Sequence, residues 1–96
     1  MLIVAAYDVD TTLPSGAKRL RQVAKACEKL GVRVQNSVFE LMIDQAQFVC
    51  LIQTLEKIID LETDSVRFYR LGSHYEGKIT VIGKPLRIQQ DDTLIL

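Results

Sequence analysis

The chain opens with the run Leu2-Ile3-Val4-Ala5-Ala6-Tyr7-Asp8-Val9, which is almost wholly apolar and contains one carboxylate near its end. The β-branched residues and the lack of interruption predict a strand over residues 2–9, in a central position of a sheet. Val4 and Ala6 would share one face of this strand with Asp8, and the residues of the other face are also apolar. Both faces of the sheet therefore need a covering layer.

Asp8 has no packing reason to lie at the end of a buried strand. Removing a carboxylate from water without a partner costs free energy, so this position favours a metal, a cation or a ligand at the same site. The alternative is that Asp8 caps the turn into the following loop or pairs with a nearby arginine.

Size and charge restrict the classes of protein to consider. The 96 residues predict a single domain over residues 1–96. Twelve basic and twelve acidic residues balance, so any surface for nucleic acid must be a local patch. No apolar stretch approaches the roughly 20 residues of a membrane span, and the first strand lacks the marks of a signal peptide. We therefore expect a cytoplasmic protein without a membrane partner.

The two cysteines, Cys27 and Cys50, belong to no CxxC or Cys/His cluster. Neither a zinc site nor a disulfide framework is expected from them.

Turn residues and helical spacing organise the first half of the chain. The stretch 10–16 predicts a loop, and apolar residues at helical spacing predict a helix over residues 17–30. Gly31 follows at the position where helices often end in the left-handed conformation. A strand over residues 32–43 comes next, and the polar residues 35–37 break its alternation and indicate a bulge.

The second half begins with Asp44 and Gln47, whose spacing resembles a capping box at the start of a second helix. Strands are predicted over residues 65–71 and 78–82, and a short tail strand over residues 93–96.

We interpret the order as strand-helix-strand-strand-helix-strand, which is the βαββαβ order of the ferredoxin-like α+β fold. Both helices would cover one face of an antiparallel sheet. The other face is apolar, and a second copy of the chain is the simplest cover for it, so a homodimer is expected. The apolar tail 94–96 would be able to add to a sheet edge of that copy.

Several segments together resemble the CRISPR-associated Cas2 family, the small partner of the Cas1 integrase in spacer acquisition. Tyr7-Asp8-Val9 is similar to one half of the family signature, and residues 18–25 extend it. The string Gly31-Val32-Arg33-Val34-Gln35-Asn36-Ser37-Val38-Phe39-Glu40 is similar to the other half. The likeness continues through residues 65–71 and the terminal residues 94–96, and so spans nearly the whole chain.

The resemblance implies a homodimer in which the two strand-end aspartates face each other near the two-fold axis. Members are described as metal-dependent nucleases on RNA or double-stranded DNA, and also as non-catalytic bridges between integrase dimers. Asp8 matches the metal-binding aspartate of the family. Arg19, Arg21, Arg33 and Phe39 fall near positions proposed to support activity or to contact nucleic acid.

Magnesium is the cofactor that such chemistry favours. Phosphodiester hydrolysis needs an activated water and neutralisation of charge on the phosphate, both of which magnesium supplies. Magnesium keeps several waters, so one or two carboxylates suffice to hold it. One chain offers Asp8, with Asp10 two residues on, and a dimer offers Asp8 twice.

Tyr7 is a candidate to orient a water beside Asp8, although a core position is the alternative for it. His74 fits an exposed loop residue rather than a base.

Basic residues supply a candidate surface for nucleic acid. The first helix carries Lys18, Arg19, Arg21, Lys25 and Lys29 on its polar side. With Arg33, Arg67 and Arg70 they would bind phosphates by charge, independently of sequence. The alternative is an ordinary solvated helix face. The sequence thus leaves two functions open: a magnesium-dependent endonuclease, and a DNA-binding scaffold that bridges integrase dimers.

Overall fold

The computed structural model describes residues 1–83, which form four strands and two helices. In chain order these are β1 (Leu2–Asp8), α1 (Pro14–Glu28), β2 (Gly31–Gln35), β3 (Val38–Met42), α2 (Gln45–Ile58) and β4 (Ser65–Gly72). All pairings are antiparallel, and the strand order is β2-β3-β1-β4. The predicted α+β, ferredoxin-like architecture is confirmed, and β1 lies inside the sheet as its apolar run predicts.

The core lies between one face of the sheet and the two helices. Ile3, Ala5 and Phe39 are fully buried on this face, and they pack with Val23 of α1 and Leu51 of α2 in a single apolar cluster. Because residues of a strand alternate between faces, the even-numbered residues of β1 project away from the helices. We call the side to which Val4, Ala6 and Asp8 belong the open face.

Helix α1 begins at Pro14, three residues earlier than the sequence predicts. Proline is favoured in the first turn of a helix, because its fixed φ is already helical and its missing N–H has no partner there. Gly16 is therefore helical and buried. A Cβ at Gly16 would collide with the backbone carbonyl of Asp10, so the absence of a side chain lets the helix start pack on the preceding loop.

Two expectations about residues 31–43 are wrong in detail. Gly31 is the first residue of β2 and does not have a positive φ, so it does not stop α1 by a left-handed conformation. A Cβ there would collide with the Glu40 carbonyl of β3, so glycine is needed for close strand approach. The polar break is a tight turn at residues 36–37 that separates two strands. A register irregularity adjoins it between Arg33 and Gln35.

The capping box at the start of α2 is confirmed. The Gln47 backbone N–H donates to Asp44 Oδ1 at 2.8 Å, and the Asp44 N–H donates to Gln47 Oε1 at 3.0 Å. Two donors that the helix itself cannot satisfy are paired in this way.

The predicted strand over residues 78–82 is wrong for the described part of the chain, where these residues form no ladder. An apolar pattern makes a strand only where a neighbouring strand accepts its hydrogen bonds. Ile79, Val81 and Ile82 are instead exposed. The predicted tail strand over residues 93–96 lies outside the described residues.

Candidate metal and nucleic-acid site

Asp8 is the last residue of β1, on the open face, and its Cα pairs with that of Ser65 in β4. The residue is exposed, and no hydrogen bond or ion pair to its carboxylate is found among residues 1–83. The central strand thus presents a carboxylate that remains available to a ligand.

Asp10 performs the turn-capping role that the sequence left open for Asp8. Its Oδ1 accepts hydrogen bonds from the Thr12 backbone N–H at 2.9 Å and the Thr12 hydroxyl at 2.8 Å. These bonds, the backbone one first, lower the pKa of the Asp10 carboxyl. One oxygen of Asp10 is therefore committed to the loop before α1.

Tyr7 lies on the opposite face of the sheet from Asp8. Its ring is buried and stacks on Phe39 with centroids 6.2 Å apart, and its hydroxyl donates to the Asn36 carbonyl at 3.4 Å. Burial raises the pKa of this phenol, against the influence of Arg33. The catalytic role expected for Tyr7 beside Asp8 does not fit this geometry, because strand alternation separates the two side chains.

Arg19 is held in an ion pair that the sequence did not reveal. Its Nε donates to Asp64 Oδ2 at 2.8 Å, and the Asp64 side chain is wholly buried. Asp64 is 45 residues away in sequence, so no local spacing could have paired the two. The predicted contact of Arg19 with nucleic acid stays a prediction, and in this protomer the guanidinium already has an internal partner.

Phe39 and Arg33 form a second internal contact, near the sheet edge. The Arg33 guanidinium lies 5.1 Å from the centroid of the Phe39 ring, and its Nη2 lies 3.6 Å from Glu28 Oε2. Phe39 has no exposed surface, so in this protomer it cannot touch nucleic acid directly, contrary to the expectation. Arg33 remains exposed and able to meet a phosphate.

Three further basic residues predicted to meet nucleic acid occupy two separate surfaces. Arg67 is exposed on the open face, opposite Ala6, and donates from Nη1 to the Tyr69 hydroxyl at 3.4 Å. Arg21 and Lys25 are exposed on α1, in the helix layer. One protomer therefore brings Arg67 near Asp8 but keeps the α1 residues on another surface.

His74, the single histidine of the sequence, lies far from Asp8. It follows Gly72, whose Cα pairs with that of Leu2 at the other end of β1. Six residues of extended strand span roughly 20 Å, so His74 cannot serve as a base for Asp8 within one protomer.

The described residues contain no group of three or more histidine, cysteine or acidic side chains arranged to hold a metal ion. A metal at Asp8 would therefore not find three such side chains in this part of one protomer. Within the same part of the protein, neither helix has the length and apolar character needed to cross a membrane.

The chain matches the family model described as "CRISPR associated protein Cas2" over residues 1–79. It is 50% identical over 95 residues to a CRISPR-associated endonuclease Cas2 of Halalkalibacterium halodurans, covering 99% of both chains. It is 46% identical over 95 residues to a CRISPR-associated endoribonuclease Cas2 of Rhodospirillum rubrum, covering 99% of this chain and 100% of the other.

The fold is similar to that of Streptococcus pyogenes Cas2 in a crystal structure at pH 6.5, with a TM-score of 0.77 and 48% identity. That likeness covers 86% of this chain and 100% of the other. Sequence and fold thus agree with the resemblance carried by Tyr7-Asp8-Val9 and residues 31–40. The chain belongs to the CRISPR-associated Cas2 family of nucleases.

Proposed function

We propose that this protein is a magnesium-dependent endonuclease that hydrolyses phosphodiester bonds of RNA or double-stranded DNA as a homodimer. The observation that carries the proposal is the position of Asp8, exposed at the end of the central strand on the open face. A carboxylate at this point is free to share a cation with a phosphate. The names of the Halalkalibacterium and Rhodospirillum relatives, an endonuclease and an endoribonuclease, support the same activity.

The homodimer is supported by the open face itself. Met42 and Tyr69 expose about half of their surface there, at 53% and 49%, and Val32 exposes 39%. Large apolar side chains exposed together on one face favour association with another protein surface. A two-fold arrangement of open faces would bring two copies of Asp8 together and leave both helix layers outside.

The segment after β4 supports the same assembly. β4 is an edge strand in the described sheet, and Ile79, Val81 and Ile82 expose apolar side chains. In a dimer, the apolar segment of one copy would be able to pair with the β4 edge of the other copy.

The donor set fits magnesium when it is counted over two chains. Two Asp8 carboxylates, with water filling the other positions, satisfy a cation that prefers oxygen ligands and retains water. Such a cation would lower the pKa of a bound water and neutralise charge on the scissile phosphate. Asp8 would hold and orient it, while Arg67, on the same face, would bind an adjacent phosphate oxygen.

The second candidate function is a non-catalytic scaffold that spaces two Cas1 integrase dimers along duplex DNA. It is favoured by the small number of ligands at Asp8 and by the exposed basic residues Arg21 and Lys25 on α1. In the proposed dimer these residues lie outside, where they would follow a DNA backbone by charge alone. Both candidates place the protein in the cytoplasm, with nucleic acid.

The nuclease proposal is tested with purified dimer, end-labelled duplex DNA and single-stranded RNA. Cleavage should appear with magnesium, disappear with excess chelator and return when magnesium is added back. Cleavage that persists in chelator would contradict a metal-dependent mechanism. Complete inactivity on both substrates at every magnesium concentration would favour the scaffold.

A further inference from the structure

Asp64 is the one charged residue among the buried side chains of the described chain, and four donors surround its carboxylate. Oδ1 accepts from the Asp10 backbone N–H at 3.0 Å and the Thr63 hydroxyl at 3.1 Å. Oδ2 accepts from Arg19 Nε at 2.8 Å and the Asp60 backbone N–H at 2.9 Å. Every neighbour donates, so the site requires an acceptor at both oxygens.

Removing the Asp64 carboxylate from water costs free energy, so its burial needs an explanation. Burial alone opposes ionisation of Asp64, but the hydrogen bonds from Arg19, Asp60, Asp10 and Thr63 outweigh it and hold the pKa well below its ordinary value. A buried ion pair adds little stability compared with apolar residues of similar size. Its specific effect is to fix the groups that it joins.

The group that it fixes most completely is the backbone of Asp10. Asp64 accepts from the Asp10 N–H, and Arg19 Nη2 donates to the Asp10 carbonyl at 3.4 Å. Gly16 packs directly against the same carbonyl. Asp10 is thus held at its donor, at its acceptor and by steric contact.

The strand that carries Asp8, β1, ends beside Asp10, and the strand that pairs with it, β4, begins beside Asp64. Asp10 follows Asp8 by two residues along the chain. Asp64 directly precedes Ser65, whose Cα is the cross-strand partner of Asp8. The Asp64 carboxylate therefore links the chain leaving Asp8 to the strand that pairs with it.

We propose that Asp64, paired with Arg19, is a positioning residue that fixes the strand end from which Asp8 reaches the metal. The inference rests on the proposed nuclease function. A site with one carboxylate from each chain has no spare ligands, so a small displacement of Asp8 would weaken it. Arg19 then supports activity through Asp64, and not by touching nucleic acid.

The test compares Asp64→Asn, Arg19→Gln and the double variant with wild type. In Asp64→Asn the amide has the shape of the carboxylate, but its NH₂ group cannot accept hydrogen bonds. The two donors that face one of the Asp64 oxygens therefore lose their acceptor. Asp44→Asn is the matched control: it also removes one carboxylate, retains a good helix cap, and lies at the other end of the sheet. Each folded variant is measured for single-turnover cleavage, magnesium dependence and nucleic-acid affinity.

Mutation of a residue that holds a metal ligand in place typically lowers metal affinity or activity by about 10–100-fold. Asp64→Asn and Arg19→Gln should each lower the cleavage rate by such a factor and raise the magnesium concentration for half-maximal cleavage. Nucleic-acid affinity should stay unchanged, and the double variant should be no worse than either single one. Asp44→Asn should cleave as wild type does.

Two results would overturn the positioning role. One is weaker nucleic-acid binding in Arg19→Gln but not in Asp64→Asn, which indicates a direct Arg19 contact. The other is wild-type cleavage by folded Asp64→Asn protein.

If wild type does not cleave and the nuclease proposal fails, a second measurement still tests the positioning role of Asp64. Amide hydrogen exchange at Asp8 and Asp10 should accelerate in Asp64→Asn and Arg19→Gln but not in Asp44→Asn. Unchanged exchange at both amides would show that Asp64 does not position the strand end, whatever the activity.

Discussion

Tyr7 and Asp8 are consecutive residues of β1 whose side chains lie on opposite faces of the sheet. Tyr7 stacks on Phe39 in the core, whereas Asp8 is exposed on the open face. The two halves of this dipeptide therefore have separate roles. Tyr7 anchors the strand by packing, and Asp8 supplies the carboxylate for the proposed chemistry.

Replacing Tyr7 by Phe should leave cleavage unchanged. The Tyr7 hydroxyl makes a long hydrogen bond to the Asn36 carbonyl at 3.4 Å, so its loss should cost less than about 1 kcal/mol of unfolding free energy. Tyr7→Ala, which also removes the ring, should cost about 3–5 kcal/mol. Denaturant unfolding and cleavage per folded molecule measure the two effects. Inactive but fully folded Tyr7→Phe would restore a catalytic role to the hydroxyl.

Introducing a charge at the centre of the open face should weaken the dimer. Val4 lies between Glu40 and Tyr69 in the sheet, so Val4→Glu would place a second carboxylate beside that of Glu40 in the proposed interface. Val49→Glu is the matched control on α2, where the valine is already 42% exposed. Light scattering should show a monomer for Val4→Glu and a dimer for Val49→Glu at micromolar concentration. A dimer in both would mean that the open face is not the interface.

Reversing a charge on α1 should weaken binding to duplex DNA and reduce its salt dependence. If Lys25 meets a phosphate, Lys25→Glu should lower the slope of log K against log salt by about 1. Lys57→Glu makes the same change in the last turn of α2 and serves as the control. Equal slopes for wild type and Lys25→Glu would remove α1 from the proposed binding surface.

The contribution of Asp64 to stability should depend on pH in a defined direction. Its pKa in the folded protein lies below the unfolded value of about 3.9, so the stabilisation is complete well above that value and is lost as the pH falls below about 4. Near neutral pH, Asp64→Asn should lower the unfolding free energy by about 1–3 kcal/mol, because buried donors lose their acceptor.

This difference between wild type and Asp64→Asn should shrink toward acid pH. Unfolding is followed at several pH values at one protein concentration, because dimerisation also affects apparent stability. A difference that stays constant down to pH 3 would contradict the assignment.

Local patterns in the sequence were sufficient for most of the fold. The apolar run 2–9 identified the inner strand, and Asp44 with Gln47 identified the start of α2, because these signals depend on neighbouring residues alone. Three polar residues between apolar ones fit either a bulge or a turn, and the structure has a turn at 36–37. The strand expected at 78–82 failed because a strand depends on a partner that periodicity does not reveal.

The candidate site was less predictable. Asp8 could be selected from its place in the apolar run, and its exposure agrees with that choice. The pairing of Arg19 with Asp64 joins residues far apart in sequence, and neither has a local feature that indicates the other. For the same reason, the sequence shows the charge of Arg19 but not the internal partner that the fold gives it.

Asp8→Asn tests the central claim most directly, because it removes one charge from an exposed side chain without protein partners among the described residues. The variant should dimerise and bind nucleic acid as wild type does, yet show no magnesium-dependent cleavage of RNA or duplex DNA. Loss of cleavage in a folded, binding-competent dimer is the result we predict. Cleavage by Asp8→Asn at the wild-type rate, with the same magnesium dependence, would contradict the account.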